Sequence, residues 1–191
     1  MAQKLEESDL LDVAQQKEWR AWLQEHYQTA KVIWLVYHKK HTGQAHISYN
    51  DAVEEALCFG WIDSTVRKVD EDRYAQKFSP RSPKSPYSQA NIERLRALAD
   101  QGRVMPEVLA AAAGELAREF IIPADILAAV QADPQAWQNF QAFSPAYIRI
   151  RVAFIEGARN RPAEFARRLA YFLRMTARNK LFGFGGIEKY Y

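Results

Sequence analysis

The chain has 191 residues, of which 48% are hydrophobic and 26% charged, an ordinary globular composition that excludes wholesale disorder. Its 26 basic and 23 acidic residues give a formal net charge of +3, a mild basicity that identifies no partner. The single cysteine excludes an intramolecular disulfide and favours a reducing compartment.

The N-terminal residues contain no apolar stretch of the kind found in a secretory signal, and no apolar run approaches the roughly 18 residues of a membrane span. We therefore expect a cytoplasmic protein without a membrane span. The length suits one domain, or one domain with a small appendage, and it allows a sizeable buried core.

The first predicted element is an amphipathic helix over residues 10–27, in which Trp19, Trp22 and Leu23 recur at helical spacing among charged residues. The β-branched and aromatic run at residues 32–37 is too short for a helix and predicts a buried strand. A polar stretch that contains Gly43 then marks a turn.

A second helix is predicted to begin at Ser48, because Ser48 and Asp51 have the spacing of a capping box. Gly60 supplies the left-handed residue that ends it. Residues 61–69 and 73–78 read as strands on either side of a turn at 70–72, and we predict a β-hairpin. With the earlier strand, these segments make a small antiparallel sheet of about three strands.

Three prolines within residues 79–88 exclude a helix there, and the chain beyond Gln89 has helical patterns. Asp133 and Ser144 each precede a proline and are predicted helix N-caps. The fold class is thus α+β, with an α+β portion at residues 1–105 and a mostly helical portion at residues 106–191. We expect the two portions to pack as one compact unit.

The net charge of +3 conceals a partition along the chain. Residues 1–75 and 106–142 each have a balance of −4, whereas residues 76–105 reach +4 and residues 143–191 reach +7. Such asymmetry is an argument about partners, and it makes the C-terminal segment the part that favours an anionic one.

The basic residues of that segment lie in predicted helices whose apolar residues recur at helical intervals. One interpretation is an anionic surface, nucleic acid or a lipid headgroup, held by arginine forks. The other is a solvated helix face with ion pairs to Glu156 and Glu164. The candidate anion-binding residues are Arg149, Arg151, Arg167, Arg168, Arg174 and Arg178.

Cysteine and histidine offer little catalytic or metal-binding chemistry. Cys58 lies near the end of a predicted helix, where a buried and inert thiol is the common outcome. His38 and His41 are separated by two lysines, and no cysteine pair or carboxylate stands nearby at a known ligand spacing, so we predict surface histidines and no metal. We predict no cofactor either. The glycines at 183, 185 and 186 precede no helix that could complete a phosphate loop, and they are interpreted as a flexible tail.

The densest mixture of chemistry lies on the predicted hairpin and its exit. A carboxylate, a hydroxyl, two guanidiniums and several aromatic rings there suit a polar ligand pocket with aromatic walls. They also suit a structural role, with Asp63 and Arg81 paired and the aromatic rings in the core. The candidate ligand-binding residues are Trp61, Asp63, Ser64, Arg73, Tyr74 and Arg81, with Lys39 and Lys40 nearby in the sheet.

The hairpin residues also carry a family resemblance. Residues 57–64, 72–74 and 78–81, with residues 34–40 and 49–56 before them, resemble the bacterial YdeI/OmpD-associated family of bacteriocin-protection proteins. Residues 91–94 and 102–106 and the later segments at 122–125, 143–145 and 167–169 continue the resemblance. The chain departs from the family pattern at Glu164 and Phe165, since a Thr-Arg pair usually stands just before the two arginines there.

The resemblance implies a role in bacterial resistance to bacteriocins and cationic antimicrobial stress, linked to an outer-membrane porin. It implies no reaction, cofactor or catalytic residue. Our leading hypothesis is a non-catalytic bacterial stress-protection protein that binds an unidentified polar ligand or a protein partner.

Two alternatives come from other classes of protein. The first is nucleic-acid or anionic-surface binding through the basic C-terminal helices. The second is an enzyme that acts on a small anionic substrate, with Asp63 as acid or base and Arg81 as anion anchor. The sequence supports no particular reaction, and it leaves the oligomeric state open.

Overall fold

The computed structural model describes residues 6–183 and 187–190. The chain forms two compact units, the N-terminal unit (Met1–Pro86 with Leu98–Ala113) and the C-terminal unit (Tyr87–Ala97 with Gly114–Tyr191). The strands are β1 (Leu10–Leu11), β2 (Ile33–His38), β3 (Trp61–Lys68) and β4 (Arg73–Pro80). The helices are α1 (Gln16–His26), α2 (Tyr49–Cys58), α3 (Gln89–Asp100), α4 (Pro106–Ala117), α5 (Ala124–Gln131), α6 (Pro134–Ala142), α7 (Pro145–Glu156) and α8 (Pro162–Ala177).

The strands form one sheet in the N-terminal unit, in the order β1-β2-β4-β3. β4 pairs antiparallel with β3 and with β2, which confirms the predicted hairpin and the three predicted strands. β1 lies parallel to β2, with Leu10 opposite Trp34 and Leu11 opposite Leu35. The sheet is therefore mixed and four-stranded, not the purely antiparallel sheet that the sequence predicted.

The helix predicted from residue 10 begins later, at Gln16. Glu18 accepts hydrogen bonds from the backbone N–H groups of Ala14 and Gln15 at 2.9 Å, which satisfies donors at the helix start. Leu10 and Leu11 are thereby left outside the helix and pair with β2. A two-residue strand is too short to show alternation, so only its partner defines it.

The core of the N-terminal unit lies between the sheet and its helices. All six residues of β2 are buried, and Trp19 of α1 is fully buried, with its ring centroid 5.4 Å from that of Phe78. The indole N–H of Trp19 donates to the carbonyl of Ala52 at 3.0 Å, which ties α1 to α2. Burial of such large aromatic side chains contributes much of the stability of a unit of this size.

The predicted ends of α2 are confirmed. The Ser48 hydroxyl accepts from the backbone N–H of Asp51 at 3.1 Å and donates to the Asp51 carboxylate at 2.7 Å. Gly60 follows the helix with a φ of +71°, and a Cβ there would lie 3.2 Å from the side chain of Val108. Both the backbone conformation and the close approach favour glycine at this position.

The C-terminal unit is helical over its described residues. Asp133 and Ser144 cap α6 and α7 as predicted, each accepting backbone N–H hydrogen bonds with a proline at the start of the helix. Its core contains Ile126, Val130, Phe140, Tyr147, Val152, Ile155 and Phe172.

The fold class is α+β, as predicted, with the sheet in the N-terminal half and helices dominating the C-terminal half. The division between the two units passes through α3 and α4. The portions 1–105 and 106–191, and their packing as one unit, stay predictions. Over the described part of the chain, no helix combines the length and apolarity needed to cross a membrane.

Candidate functional site

The ligand-binding residues predicted on the hairpin are divided between its two ends and the core. Trp61 is only 1% exposed, and its indole N–H donates to the carbonyl of Tyr27 at 3.1 Å, so it belongs to the core. Asp63 lies opposite Phe78 on β4, whereas Arg73 is five residues from Phe78 along the same strand. At roughly 3.3 Å per residue, Asp63 and Arg73 are separated by about 17 Å along the sheet.

The Asp63 end of the hairpin is held by neutral hydrogen-bond donors. The Asp63 carboxylate accepts from the hydroxyl of Tyr49 at 2.9 Å and from the amide of Gln76 at 3.1 Å. The same amide donates to the carbonyl of Ser64, whose side chain is exposed. Arg81 donates to the backbone carbonyls of the two serines at 82 and 85. These contacts fix the exit of the hairpin.

The turn end of the hairpin gathers the other predicted residues. Arg73 donates to the carboxylates of Asp70 and Glu7 at 2.8 and 3.0 Å. Lys39 donates to the backbone carbonyl of Glu71 at 2.6 Å.

The remaining two residues of that set lie nearby but face different surroundings. Tyr74 stacks on Tyr37, with ring centroids 5.2 Å apart and planes 9° from parallel. Lys40 is exposed at the start of a short 3₁₀ turn.

A polar cleft of about 630 Å³ lies beside this turn, and Arg73 is the predicted ligand-binding residue that lines it. His38 is only 9% exposed, and its Nε2 lies 2.7 Å from a carboxylate oxygen of Asp12. His41 Nε2 lies 2.9 Å from Asp72. The imidazole rings of His38 and His41 and the guanidinium of Arg73 thus each have a carboxylate partner within the cleft. His38 is a buried, carboxylate-bound histidine and not the surface histidine that the sequence predicted.

Cys58 has the environment of an inert thiol, as the sequence predicted. It is fully buried at the end of α2, and burial, opposed by the nearby guanidiniums of Arg103 and Arg20, raises its pKa to about 11. A thiol with so high a pKa contains almost no thiolate at neutral pH. Among the residues that the structure describes, no group of three histidine, cysteine or acidic side chains could hold a metal ion.

Four of the six arginines predicted to bind anions line one pocket in the C-terminal unit. The pocket has a volume of about 560 Å³ and lies between α7, α8 and the segment after α8. The two arginines outside it have different surroundings: Arg149 makes a bidentate ion pair with Glu93 at 2.7 and 2.8 Å, and Arg178 is exposed at the end of α8. The pocket arginines are Arg151, Arg167, Arg168 and Arg174.

One carboxylate, Glu164, offsets one of the two arginine charges at one end of the pocket. One of its oxygens accepts from Arg167 and the other from Arg168, each at 2.6 Å. These hydrogen bonds, with Arg168 the larger influence, hold the pKa of Glu164 below its usual range, so the carboxylate stays ionised at neutral pH. Four guanidiniums and one carboxylate leave a formal excess of three positive charges among the lining residues.

The other end of the pocket contains Arg174, which has no carboxylate partner within the described part of the chain. Its guanidinium lies 5.0 Å from the ring centroid of Tyr171, and the Tyr171 ring meets the ring of Phe182 edge-on at 4.8 Å. The buried Arg151 lies 5.4 Å from the same Phe182 ring. Arginine and aromatic rings therefore share this wall of the pocket.

The sequence indicated only part of this pocket. Glu164, Arg168, Tyr171 and Arg174 recur every three or four residues along α8, so helical spacing alone places them on one face. Phe182 comes from beyond the helix, and its position depends on the path of the chain after α8. Gly183 also lines the pocket, while the other two glycines of the predicted flexible tail, at 185 and 186, lie outside the described residues.

Comparison with known proteins divides the chain at a similar place. Residues 11–111 match a family model described as a domain of unknown function, DUF8412, and residues 119–179 match one described as "Bacteriocin-protection, YdeI or OmpD-Associated". No curated protein and no solved structure matches the chain. The hairpin residues that suggested the YdeI/OmpD-associated family thus fall within the first match, whereas most of the arginine pocket falls within the second.

The second match confirms the YdeI/OmpD-associated resemblance over the C-terminal helices alone. The first match covers more than half of the 191 residues. The chain therefore belongs to the family of the domain of unknown function DUF8412, and it continues into a YdeI/OmpD-associated segment at residues 119–179.

Proposed function

We propose that this protein is a non-catalytic bacterial protection protein of the bacteriocin-protection type, and that it acts by binding an anionic ligand in the pocket between α7 and α8. The observation that carries the proposal is the gathering of four arginines around one cavity, mostly within the YdeI/OmpD-associated segment. A volume of about 560 Å³ is in the range of pockets that bind small ligands. The single, buried cysteine supports action in the cytoplasm.

The excess positive charge supports an anion as ligand. Several arginines of this unit already have carboxylate partners, as in the pairs of Arg149 with Glu93 and Arg159 with Asp125. Arg174 differs, because its described contact is with the Tyr171 ring and not with a carboxylate. A guanidinium that is available in a partly enclosed pocket gives a charge-assisted hydrogen bond to a ligand anion.

The lining of the pocket favours binding over catalysis. Glu164 is the carboxylate among the described lining residues, and both of its oxygens already accept hydrogen bonds from arginines. An ionised carboxylate held in this way is a poor general base, since taking up a proton would weaken two ion pairs.

The same ion pairs count against nucleic-acid binding through an open basic face. Such binding needs several arginines free to contact successive phosphates. Arg149, Arg159 and Arg167 instead contact carboxylates of their own unit.

The proposal is tested by measuring the binding of naphthalene monosulfonate, a small anion that remains ionised at all relevant pH values, by isothermal titration calorimetry. We expect Arg174→Ala to weaken binding by about tenfold, because one charge-assisted hydrogen bond is lost. The matched control is Arg178→Ala, which removes an exposed arginine one turn further along and outside the pocket. We expect that control to bind within about twofold of the wild type.

Two results would contradict the proposal. One is the absence of binding by the wild type, and the other is an equal loss of affinity in both variants, which would indicate attraction to the general charge of α8. A gel-shift assay at low salt tests the alternative function, which is nucleic-acid binding through the basic C-terminal helices. Nucleic-acid binding would be favoured if the protein shifts single-stranded DNA in the gel and both substitutions weaken that binding. The affinity for DNA should then also fall steeply as the salt concentration rises.

The physiological part of the proposal needs a separate measurement. A bacterium sensitive to a bacteriocin is complemented with the wild type, Arg174→Ala or Arg178→Ala at equal expression. We expect the wild type and Arg178→Ala to protect and Arg174→Ala to protect less. Equal protection by all three proteins would show that protection does not depend on the arginine pocket.

A further inference from the structure

The two ends of the arginine pocket differ in whether their guanidiniums already have a carboxylate partner. Glu164 lies in the first turn of α8 and Arg174 in the last, so they are separated by ten residues, about 15 Å along the helix axis. At the Glu164 end, Arg167 and Arg168 share one carboxylate, which offsets one of their two positive charges. At the Arg174 end, no described carboxylate lines the pocket. One end is therefore open to an anion, and the other already contains one.

The wall between these ends is aromatic and apolar. Tyr171 lies one turn before Arg174 on α8, and Phe182 meets its ring edge-on. Phe154 of α7 lies on the far side, where the Arg168 guanidinium is 3.8 Å from its ring centroid. Flat rings of this kind favour a planar apolar body, which can stack or make edge contacts over a large area.

We infer, on the basis of the proposed function, that the ligand is an aromatic compound with one anionic group, and that Glu164 excludes ligands with a second anionic group at the opposite end. The anionic group binds Arg174, and the flat body lies against Tyr171 and Phe182. Glu164 is thus a specificity-determining residue of the pocket.

The physical reason is competition for the same guanidiniums. Arg168 donates its Nε–H to Glu164 and one Nη1–H to the backbone carbonyl of Phe154, so two of its donors are already used. A second ligand anion near Arg167 and Arg168 would stand beside the Glu164 carboxylate and would be repelled by it. Such an anion gains little attraction unless it displaces Glu164 from both arginines.

The test compares probes that differ in one feature at a time, using the full chain. Naphthalene monosulfonate has a flat body and one anion. A naphthalene disulfonate with its sulfonates at opposite ends adds the second anion. Octyl sulfate keeps one anion without a flat body. For the wild type we expect the monosulfonate to bind at least about fivefold more tightly than each of the other two probes.

The decisive variant is Glu164→Gln, which keeps the shape of the side chain and removes its charge. We expect it to bind the disulfonate about tenfold more tightly than the wild type does, and the monosulfonate within about twofold. Glu156→Gln is the matched control, because Glu156 also pairs with an arginine, Arg159, at 2.5 Å but does not line the pocket. We expect it to change neither affinity. Thermal unfolding of each variant checks that the fold is retained.

Each outcome bears on one of the two proposals. Tighter binding of the disulfonate by the wild type, or an equal gain for both sulfonates in Glu164→Gln, would overturn the role of Glu164 while leaving the anion pocket in place. Octyl sulfate binding as tightly as the monosulfonate would overturn the aromatic class. If no probe binds the wild type, or if Arg174→Ala and Arg178→Ala weaken monosulfonate binding equally, the proposed function itself fails.

Discussion

Glu55 and Glu164 each contact two arginines, but the surroundings of the two carboxylates differ. Glu55, in the N-terminal unit, accepts from Arg20 and Arg103 at 2.6 Å, and its side chain is 3% exposed. Glu164, in the C-terminal unit, also accepts from two arginines at 2.6 Å, but its side chain is 23% exposed and lines a pocket. The pairing chemistry is the same in both clusters.

The two clusters differ in the third polar group that lies near the carboxylate. At Glu55, the amide of Gln16 donates at 2.8 Å, so this buried cluster contains its own partners. At Glu164, the third cation along the helix face is Arg174, which reaches no described carboxylate. A buried carboxylate with a full set of donors is costly to disrupt, whereas a cluster with an unused cation in an open pocket can accept a ligand. Under the proposed function, a complete set of hydrogen-bond donors marks the structural cluster, and an unused cation marks the cluster that binds a ligand.

The largest expected effect comes from removing each carboxylate in turn. Glu55→Ala leaves two partly buried arginines without their partner, and we expect the free energy of unfolding to fall by about 3 kcal/mol. Glu164→Ala, at a more exposed site, should lower the free energy of unfolding much less, because water screens its ion pairs. Urea unfolding of both variants measures the difference. Equal losses in the free energy of unfolding would contradict the distinction between the two clusters, because both clusters would then contribute equally to stability.

A smaller effect is expected from the buried thiol beside the Glu55 cluster. Burial raises the pKa of Cys58 from an ordinary value of 9.0 to about 11, so the folded state retains the proton after the unfolded state has lost it. The free energy of unfolding should therefore fall between about pH 9 and pH 11, by about 2 kcal/mol from this group.

The raised pKa values of Tyr27 and Tyr37 also reduce stability at high pH, and they do so in the wild type and in the Cys58→Ala variant alike. Comparing the two proteins therefore isolates the contribution of the thiol. The loss of stability between pH 9 and pH 11 should be smaller in the variant than in the wild type. Alkylation by iodoacetamide at pH 8 gives a second measurement, and the native thiol should not react. Rapid alkylation would show that the region around Glu55 opens to solvent.

The smallest effect concerns the third donor of each cluster. Gln16→Ala removes a hydrogen bond to a buried carboxylate and should cost about 1 kcal/mol. Arg174→Ala removes no described ion pair and should change the free energy of unfolding by less than about 0.5 kcal/mol, even though it weakens anion binding. A loss of stability in Arg174→Ala comparable to that in Gln16→Ala would mean that Arg174 has a structural role.

Local signals in the sequence were sufficient for most of the fold. Ser48, Asp133 and Ser144 act as N-caps, and Gly60 adopts the left-handed conformation, because each of these features depends on a few neighbouring residues. The hairpin and β2 were predictable for the same reason. β1 was not, since a two-residue strand is defined only by its pairing with a segment more than twenty residues away.

Sites were harder to predict than elements, since a list of polar and aromatic residues does not contain their distances. The hairpin had the richest chemistry, yet Trp61 is in the core and the strand register separates Asp63 from Arg73. The basic segment predicted a set of arginines, and four of the six line one pocket.

By itself, the sequence determined the α+β class, the helix caps, the hairpin and the excess of arginine near the C-terminus, because these follow from local spacing and composition. Only the tertiary structure decided which charges are used internally and which remain for a ligand. That choice depends on contacts between residues far apart in the chain, such as Arg149 with Glu93 and Arg103 with Glu55. Net charge counts both kinds of arginine equally, whereas burial and pairing distinguish Arg149 from Arg174.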